Sequence, residues 1–231
     1  TAQRVADMVF GAMSQVVPHR VMAGSNSSIT GIYFGGIDPK SHEYYVYMET
    51  FGGGSGARFN KDGLSCVQVH MTNTSNLPIE SMEIEFPYMV EQYTLVPDSG
   101  GPGKFRGGLS MYKDIRVLGH DSQFTVKADR QKTPPWGLFG GKPGLPGVIT
   151  IYPGTPDEAV IDSKKSGTTL KANGVLRCQM PGAGGYGDPM ERDRAMIVHD
   201  LEEGYITCES AMRDYGLTKE ELDEIEVFGR T

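Results

Sequence analysis

Glycine is the residue that most constrains how this chain can fold. Thirty-one of the 231 residues are glycine, about twice the average share, and many of them lie in four clusters, at residues 52–56, 100–108, 137–147 and 182–187. Glycine has no Cβ, so it permits turns and close approaches that other residues resist. The clusters therefore predict many tight turns, or backbone brought close to a ligand.

The first cluster lies in the segment ETFGGGSGARFNKDG, residues 49–63. Converging backbone N–H groups in such a run can hold an anion, and Arg58 or Lys61 would add positive charge. A phosphate-binding loop, however, requires Lys-Ser or Lys-Thr after the last glycine, followed by a helix. Here Ala57, Arg58 and Phe59 follow without a helical pattern. The residues therefore favour a turn that lines a pocket over a nucleotide cradle.

The remaining pattern is mostly that of short strands. An opening helix over residues 1–15 places Val5, Met8, Val9, Ala12 and Met13 on one face. Alternation and β-branched content then predict strands at residues 43–50 and 65–73, two strands separated by Pro87, a hairpin with arms 109–118 and 123–128, and short strands within 147–154 and 174–182.

The last forty residues change to a helical pattern. A helix beginning near residue 188 is predicted to face inward through Ala195, Met196, Val198 and Leu201, and to end at Gly204. Thr207 and Gly216 bound a second helix, and Thr218 with Glu221 forms a capping box for a third. We predict an α+β fold with a β-rich body over 1–187, glycine-rich loops, and a helical C-terminal region over 188–231.

Composition narrows the functional class. A formal net charge of −7 and the lack of a basic run disfavour nucleic-acid binding. No apolar run reaches the roughly 18 residues of a membrane helix, and the three widely spaced cysteines favour reduced thiols over a disulfide framework. We therefore expect a cytoplasmic protein that binds neither nucleic acid nor membrane.

A dense polar run follows the predicted strand at 65–73. It contains His70, Thr72, Asn73, Thr74, Ser75, Asn76 and Glu80. His70 suits a base or ligand, and Asn73 with Asn76 suits the orientation of an amide or carbonyl group. The alternative is a loop whose side chains bond their own backbone, and the residues alone favour that alternative.

Two later segments carry candidate ligand groups. Arg106, within the second glycine cluster, suits a bidentate clamp on a carboxylate or phosphate, although a solvated loop cation fits the pattern equally. Arg130 and Trp136 lie in a segment that can close over a pocket. The alternative is that Trp136 is only a packing anchor in the core or at an edge. The five histidines show no metal-ligand spacing, so no metal site is predicted in this chain.

Four segments in this order resemble the hydantoinase B/5-oxoprolinase family, to which acetone and acetophenone carboxylase subunits are related. They are ETFGGGSGARFNKDG, VQVHMTNTSNLPIE, PDSGGPGKFRGG and PGAGGYGDPMERD, with DRQKTPPWGLFGGKPG between the last two. The resemblance covers essentially the whole chain. It implies the C-terminal portion of a B subunit, which agrees with a sequence that opens on Thr1 inside a helical pattern.

The resemblance implies opening of a cyclic amide such as a hydantoin, oxoproline or another lactam, through an intermediate that a partner A subunit phosphorylates with ATP. The alternatives are a subunit of an ATP-dependent ketone carboxylase, or a non-catalytic structural subunit. The implied partners are a hydantoinase A-like subunit, a chain carrying the N-terminal half of the B subunit, and a small-molecule substrate. A divalent metal is implied in that N-terminal half.

The same resemblance assigns roles to residues of this sequence. It implies catalytic roles for His70, Asn73 and Asn76. It also implies that the first glycine cluster shapes the substrate pocket rather than the ATP site. The substrate-binding residues it implies are Gly53, Gly54, Asp62, Thr72, Thr74 and Arg106.

Overall fold

Two antiparallel sheets form the body of the protein. The computed structural model describes residues 2–225. The first sheet has the order β2-β1-β5-β8, with strands at Thr30–Ile37 (β1), Tyr44–Phe51 (β2), Ser122–Lys127 (β5) and Lys164–Leu170 (β8). The second has the order β3-β4-β9-β6-β7, with strands at Tyr88–Leu95 (β3), Met111–Val117 (β4), Val148–Ile151 (β6), Ala159–Ile161 (β7) and Val175–Gln179 (β9).

The core lies between the two sheets. Phe34 of β1 and Phe124 of β5 share one apolar cluster with Ile115 of β4 and Leu176 of β9, and all four are almost fully buried. Alternate residues of a strand point to opposite faces of its sheet, so each sheet contributes one face to this core. Burial of each such side chain contributes about 1.5–3 kcal/mol.

Within residues 2–225, five α-helices complete the fold: Ala2–Met13 (α1), Ile79–Glu85 (α2), Arg194–Glu202 (α3), Cys208–Tyr215 (α4) and Lys219–Asp223 (α5). The predicted α+β class is confirmed. No helix within residues 2–225 has the length and apolarity that a membrane crossing requires.

The second and third C-terminal helices have the predicted caps, whereas the first begins at Arg194 rather than near residue 188 and differs in its buried face. Thr207 caps α4, Gly216 ends it in a left-handed conformation, and Thr218 forms the capping box of α5 with Glu221. The buried residues of α3 are Ile197, Asp200 and Leu201, whereas Ala195 is exposed. Of the predicted inner face, Leu201 is buried, Met196 and Val198 are half-buried and Ala195 is exposed. The face is shifted because a buried aspartate, Asp200, takes a position that apolar periodicity cannot anticipate.

The strand predicted at residues 65–73 is absent. Cys66 and His70 both adopt positive φ, at 55° and 61°, and such left-handed residues interrupt an extended strand. Val67 pairs only with Gly53, through hydrogen bonds of 3.1 and 2.8 Å. The alternation of apolar residues here therefore reflects an irregular segment with Val69 buried and Met71 exposed.

The strand predicted before Pro87 is instead helix α2. Alternating apolar and acidic residues suggested a strand, but glutamate is a good helix former, and Pro78 and Pro87 bound a segment of helical length. Met82 is fully buried and fixes the helix against the body, while Ile84 points to solvent.

The predicted hairpin of residues 109–128 is also wrong. Its two arms form β4 and β5, which lie in different sheets, and β5 pairs with β1 and β8. The four residues between the arms therefore cross from one sheet to the other. Sequence alternation is the same for a hairpin and for such a connection, because both bury one face of each strand.

The glycine clusters come together outside the sheets in what we call the glycine bundle, formed by residues 21–27, 52–57, 99–108, 137–144 and 181–187. Its segments are joined by backbone hydrogen bonds, such as Ala57 N to Gly184 O at 3.0 Å and Gly184 N to Gly24 O at 2.8 Å. A Cβ added at Gly56 would lie 1.8 Å from the Ala23 carbonyl oxygen. The glycines are thus required because neighbouring backbones pack without room for side chains.

Candidate functional site

A cavity of about 440 Å³ opens between α1, the segment after β5 and the start of β8. We call it the basic cavity. Its charged lining consists of Arg4, Asp7, Asp129, Arg130, Lys132 and Lys164, and Trp136 forms part of its wall. Four cations face two carboxylates, so positive charge is in excess. The volume suits a small-molecule ligand, and the charge favours an anionic one.

The local sequence explains how α1 and the loop meet. Gly11 lies against the indole of Trp136, where a Cβ would be 3.4 Å from the ring. This small residue lets the helix approach the loop closely. As a result, Arg4 and Asp7, one turn apart on α1, lie beside the cavity.

Asp7 is the centre of a buried polar cluster behind the cavity. Its Oδ1 lies 3.0 Å from His70 Nε2, and its Oδ2 accepts a 3.0 Å hydrogen bond from Arg130 Nη2. Ser25 Oγ donates to the same carboxylate, at 2.9 Å from Oδ1, and lies 3.2 Å from His70 Nε2. The side chains of Asp7 and His70 are 3% and 7% exposed.

Neighbouring hydrogen-bond donors and positive charges keep the carboxylates of Asp7 and Asp129 ionised. Burial raises the pKa of Asp7, but its hydrogen bonds with His70 and Ser25, and the charges of His70 and Arg130, outweigh that effect and lower the pKa overall. Burial likewise raises the pKa of Asp129, and Ser28, Arg4 and Lys164 lower it further than burial raises it. Lys132 has no ion-pair partner among residues 2–225, so its charge is available to a ligand.

The backbone around the cluster is strained. Ser27, His70 and Arg130 all adopt positive φ, at 76°, 61° and 60°. Such conformations are unfavourable for residues with side chains and concentrate at functional sites. Arg130 Nε is also buried without a hydrogen-bond partner among the described residues. An unsatisfied guanidinium nitrogen beside a cavity indicates a place for an acceptor.

The rest of the predicted polar run lies away from the basic cavity. Thr72 Oγ1 donates to the Val69 carbonyl at 2.9 Å, and Asn73 and Thr74 are exposed. Asn76 Nδ2 donates to Glu49 Oε1 and to the Thr50 carbonyl, at 2.9 and 2.8 Å. The structure therefore separates His70 from Asn73 and Asn76, and their catalytic roles stay predictions.

Asn76 and Thr74 border a second, open cavity of about 710 Å³ beside β2. Its polar wall includes Glu49, which forms a buried ion pair with Lys113, with Nζ–O distances of 2.8 and 2.9 Å. Because Glu49 is already neutralised, the remaining charged group in the lining of this cavity is the carboxylate of Glu85, which does not favour an anionic ligand.

Asp62 and Arg106 belong to a third location, a buried ion network between the body and α3. Arg106 donates to Asp200 from Nε and Nη2, at 3.1 and 3.2 Å, and Arg192 bridges Asp200 and Asp62 at 2.7 Å each. Asp62 also accepts the Arg106 backbone N–H at 2.7 Å. Their predicted roles in substrate binding stay predictions, and their present partners are protein groups.

Gly53 and Gly54 lie inside the glycine bundle. A Cβ at Gly54 would be 2.2 Å from the Gly108 carbonyl oxygen, and one at Gly53 would be 2.6 Å from that of Pro181. Neither residue lines the basic cavity or the cavity beside β2. Their predicted contact with substrate stays a prediction.

The sequence did not identify Asp7, Ser25 or Lys132 as site residues, and it identified Arg130 only as part of a closing segment. One signal was present: Asp7 lies between the apolar residues Ala6 and Met8, on the side of the helix opposite its apolar stripe. The contacts with His70 and Arg130 span 63 and 123 residues of sequence and are visible only in the fold.

The described residues do not form a metal site. No three histidine, cysteine, aspartate or glutamate side chains within residues 2–225 lie together with the spacing of metal ligands. Asp7 and His70 are two such groups, but Arg130 takes the other side of the carboxylate. We therefore assign no step of this chain to a metal.

Comparisons with known proteins place the chain in a family. Residues 1–189 match the family Hydantoinase B/oxoprolinase. The putative D-/L-hydantoinase B subunit of Pseudomonas sp. (strain NS671) is 35% identical over 223 residues, covering 96% of this chain and 37% of that protein. The beta subunit of the Pseudomonas jessenii caprolactamase is 30% identical over 239 residues, covering 96% of this chain and 40% of that protein. The chain thus spans about two-fifths of these relatives.

Solved structures share the fold. The ATP-dependent caprolactamase from Pseudomonas jessenii matches with a TM-score of 0.73 and 24% identity, over 90% of this chain and 38% of that one. The nucleotide-free structure of acetone carboxylase matches with a TM-score of 0.69 and 20% identity, over 94% and 33%. Together with the family match over residues 1–189, these similarities show that the chain belongs to the hydantoinase B/oxoprolinase family.

Proposed function

We propose that this chain is part of the B subunit of an ATP-dependent cyclic amidohydrolase, and that the basic cavity binds the activated substrate. The observation that carries the proposal is the cluster of Asp7, His70 and Arg130 behind a cavity with excess positive charge. A carbonyl activated by phosphorylation is anionic, so this cavity suits it.

Two partners belong to the proposal. A hydantoinase A-like subunit would use ATP, and a further chain or segment would supply the N-terminal half of the B subunit and its divalent metal. Support comes from the names of the relatives, which describe B and beta subunits, and from the ATP-dependent caprolactamase. A cytoplasmic location is part of the same proposal.

The residues of this chain would bind and orient the substrate. Arg130 and Lys132 would bind the anionic group, and Asp7 would hold Arg130 in position. His70 does not line the basic cavity; it contacts Asp7, which does. Ring opening adds water at the phosphorylated carbon and breaks the C–N bond, and the two protons of that water pass to the nitrogen. A second water then hydrolyses the resulting acyl phosphate and releases inorganic phosphate. We assign His70 the positioning of Asp7, because its Nε2 contacts that carboxylate directly.

Ketone carboxylation is the second candidate on the same scaffold. Its support is the fold similarity to acetone carboxylase at 20% identity. Ring opening is preferred, because relatives of at least 30% identity are named as parts of a hydantoinase and a caprolactamase. A purely structural role is the third candidate, and the cavity argues against it.

The test uses the assembled complex with both partners. Arg130→Lys and Lys132→Ala are compared with Arg116→Ala. That control removes the contacts of Arg116 on β4 with Glu91 on β3 and with the Asn173 carbonyl, outside the basic cavity. We expect ring opening of a hydantoin or lactam to fall about 10²-fold or more in the cavity variants, as for loss of a group that stabilises developing charge. ATP hydrolysis and product formation are measured separately.

The outcomes separate the candidates. Wild-type ring opening in both cavity variants would refute the proposed site and favour a structural role. Product formation that depends on bicarbonate, with a ketone substrate, would instead support the carboxylase. Unchanged activity of Arg116→Ala is required for the comparison to hold.

A further inference from the structure

Helix α1 has its polar side turned inward and its apolar side turned outward. Gln3, Asp7 and Ser14 are buried, each at 8% exposure or less. The outer stripe is formed by Val5, Met8, Val9 and Met13 of the helix and Val16 just after it, with 51%, 71%, 51%, 41% and 74% exposure. A surface helix of a globular protein normally shows the reverse arrangement.

The inward polar side chains all form hydrogen bonds. Gln3 Nε2 donates to the Val69 carbonyl at 2.9 Å, and its Oε1 accepts from Ile29 N at 3.0 Å. Ser14 Oγ donates to the Gly11 carbonyl at 2.7 Å. With Asp7 bound to His70 and Arg130, the helix is held by hydrogen bonds and ion pairs. Its orientation is therefore fixed by polar contacts, and the outward apolar stripe follows from it.

The stripe is continuous. Within the helix, Val5 is followed at three and four residues by Met8 and Val9, and Val9 at four by Met13, so these side chains form one ridge, and Val16 follows in the turn after the helix. Within residues 2–225 no apolar side chain buries this ridge, and contiguous exposed apolar patches of this kind mark interaction sites.

We propose that this stripe, residues Val5, Met8, Val9, Met13 and Val16, docks the part of a hydantoinase B-type protein that lies outside the region this chain matches. The chain covers 37% of the Pseudomonas sp. relative, so 63% of such a protein has no counterpart here (100 − 37). A region of that size needs an interface with this one, and α1 presents the apolar surface that such an interface requires.

The position of the stripe supports this occupant. Met8 belongs both to the stripe and to the lining of the basic cavity, and Arg4 and Asp7 lie on the same helix. A partner seated on the stripe therefore reaches the rim of the cavity and closes its open side. The substrate site would be completed by two parts of one B-type protein. A second copy of this chain is less suited, because each copy carries a net charge of −7.

This inference rests on the proposed assembly with further subunits, but its test needs no activity. The remaining part of the B-type protein is identified in the source genome as the coding sequence that completes this chain to the length of the Pseudomonas sp. relative. That part is expressed as a separate chain together with affinity-tagged wild type or variant. The amount retained without ATP or substrate is quantified by mass spectrometry.

The variant is Met8→Glu with Val9→Glu. Its matched control is Met190→Glu with Val160→Glu, two residues of similar exposure, 65% and 68%, outside α1. Glutamate has a high helix propensity, so the variant helix should persist, and each exposed change should alter stability little. Circular dichroism and urea unfolding of the isolated chains check this.

We expect the stripe variant to retain at least tenfold less of the companion part than wild type, and the control to retain as much as wild type. Equal retention by the stripe variant would overturn the inference. So would a wild-type chain that binds only a second copy of itself or no companion, or a source genome without such a coding sequence.

The result is distinct from that of the functional test. A complex that assembles through the stripe but opens no ring leaves this inference standing and refutes the proposed function. A complex that opens rings with full retention of the stripe variant refutes the inference alone.

Discussion

Asp7 connects helix α1 to the basic cavity through three different partners. It is buried, yet its pKa is lowered, because His70, Ser25 and Arg130 stabilise the charged form more than burial opposes it. A carboxylate of this kind adds stability only while it is ionised. The residue therefore makes stability depend on pH in a definite direction.

Asp7→Asn is expected to remove that dependence. The folded pKa of Asp7 lies below its ordinary value of 3.8, so its contribution is complete above that value and is lost as pH falls through the folded pKa. Near pH 7 the variant should be less stable by about 3 kcal/mol, the cost of breaking a buried ion pair. The difference should shrink below pH 3.8. Urea unfolding between pH 7 and pH 3 measures it.

Asp157→Asn, in an exposed turn, is the control for the Asp7 experiment. It should leave stability unchanged at every pH. A constant difference between wild type and Asp7→Asn down to pH 3 would contradict the assigned role of the charge.

At the scale of elements, the glycine bundle is an unusual core, since it is built from backbone rather than side chains. Its segments satisfy their N–H and C=O groups on each other, as buried backbone must. Packing at this distance leaves no space for a Cβ, so every segment depends on glycine at its contact points.

Gly56→Ala should therefore prevent folding. Its Cβ would lie 1.8 Å from the Ala23 carbonyl oxygen, and backbone cannot move aside as a flexible side chain can. The control is Gly119→Ala, at φ 71° with nothing nearby, which should cost only about 1–2 kcal/mol. Soluble yield and urea unfolding of both variants test this. A soluble Gly56→Ala chain of wild-type stability would show that the bundle can open.

Helix α4 illustrates a smaller contribution at the same scale. Thr207 Oγ1 accepts from Ser210 N at 3.1 Å and donates to Asp98 Oδ2 at 2.8 Å. Thr207→Ala should lower the free energy of unfolding by about 1–2 kcal/mol through loss of the cap. Thr207→Ser keeps the hydroxyl and should recover most of it, which thermal unfolding of the three proteins would show.

Considered as a whole molecule, the chain joins its C-terminal helices to the body through charge. Asp200 is almost fully buried between Arg106 and Arg192, and Arg192 continues to Asp62 of the body. The helices have their own small apolar cluster, formed by Ile197, Leu201, Ile206, Ala211, Tyr215, Leu217 and Leu222. The ion network is therefore a buried polar link between the two parts, in addition to the contacts of Thr207 with Asp98 and of Lys142 with Asp214.

Asp200→Asn leaves two buried guanidinium groups without their shared carboxylate. We expect a loss of about 3–5 kcal/mol, the range for breaking a buried ion pair by removing one partner. Hydrogen exchange should rise across α3 and α4. Glu202→Gln, exposed on the same helix, should change neither the free energy of unfolding nor the hydrogen exchange of α3 and α4. Unaltered exchange in Asp200→Asn would mean that other contacts, such as Thr207 with Asp98 and Lys142 with Asp214, suffice to hold the helices on the body.

The local features of this protein could be predicted from its sequence. The caps at Thr207 and Thr218, the helix stops at Gly204 and Gly216, and the helical tail depend on residues within a few positions of each other. The ordered glycine segments were enough to indicate the family, which the match over residues 1–189 confirms. The sequence also predicted the stripe of α1 as one face of a helix, but it did not predict that this face points outward.

Only the tertiary structure decided which distant residues meet. Asp7, Ser25, His70 and Arg130 form one cluster, because the fold brings together a helix, two loops and the segment after β5. The same holds for β4 and β5. Their alternating sequences predicted a hairpin, but in the fold the two strands lie in separate sheets. Periodicity reports which face of an element is apolar. It does not report what that face packs against, because that depends on contacts across more than a hundred residues.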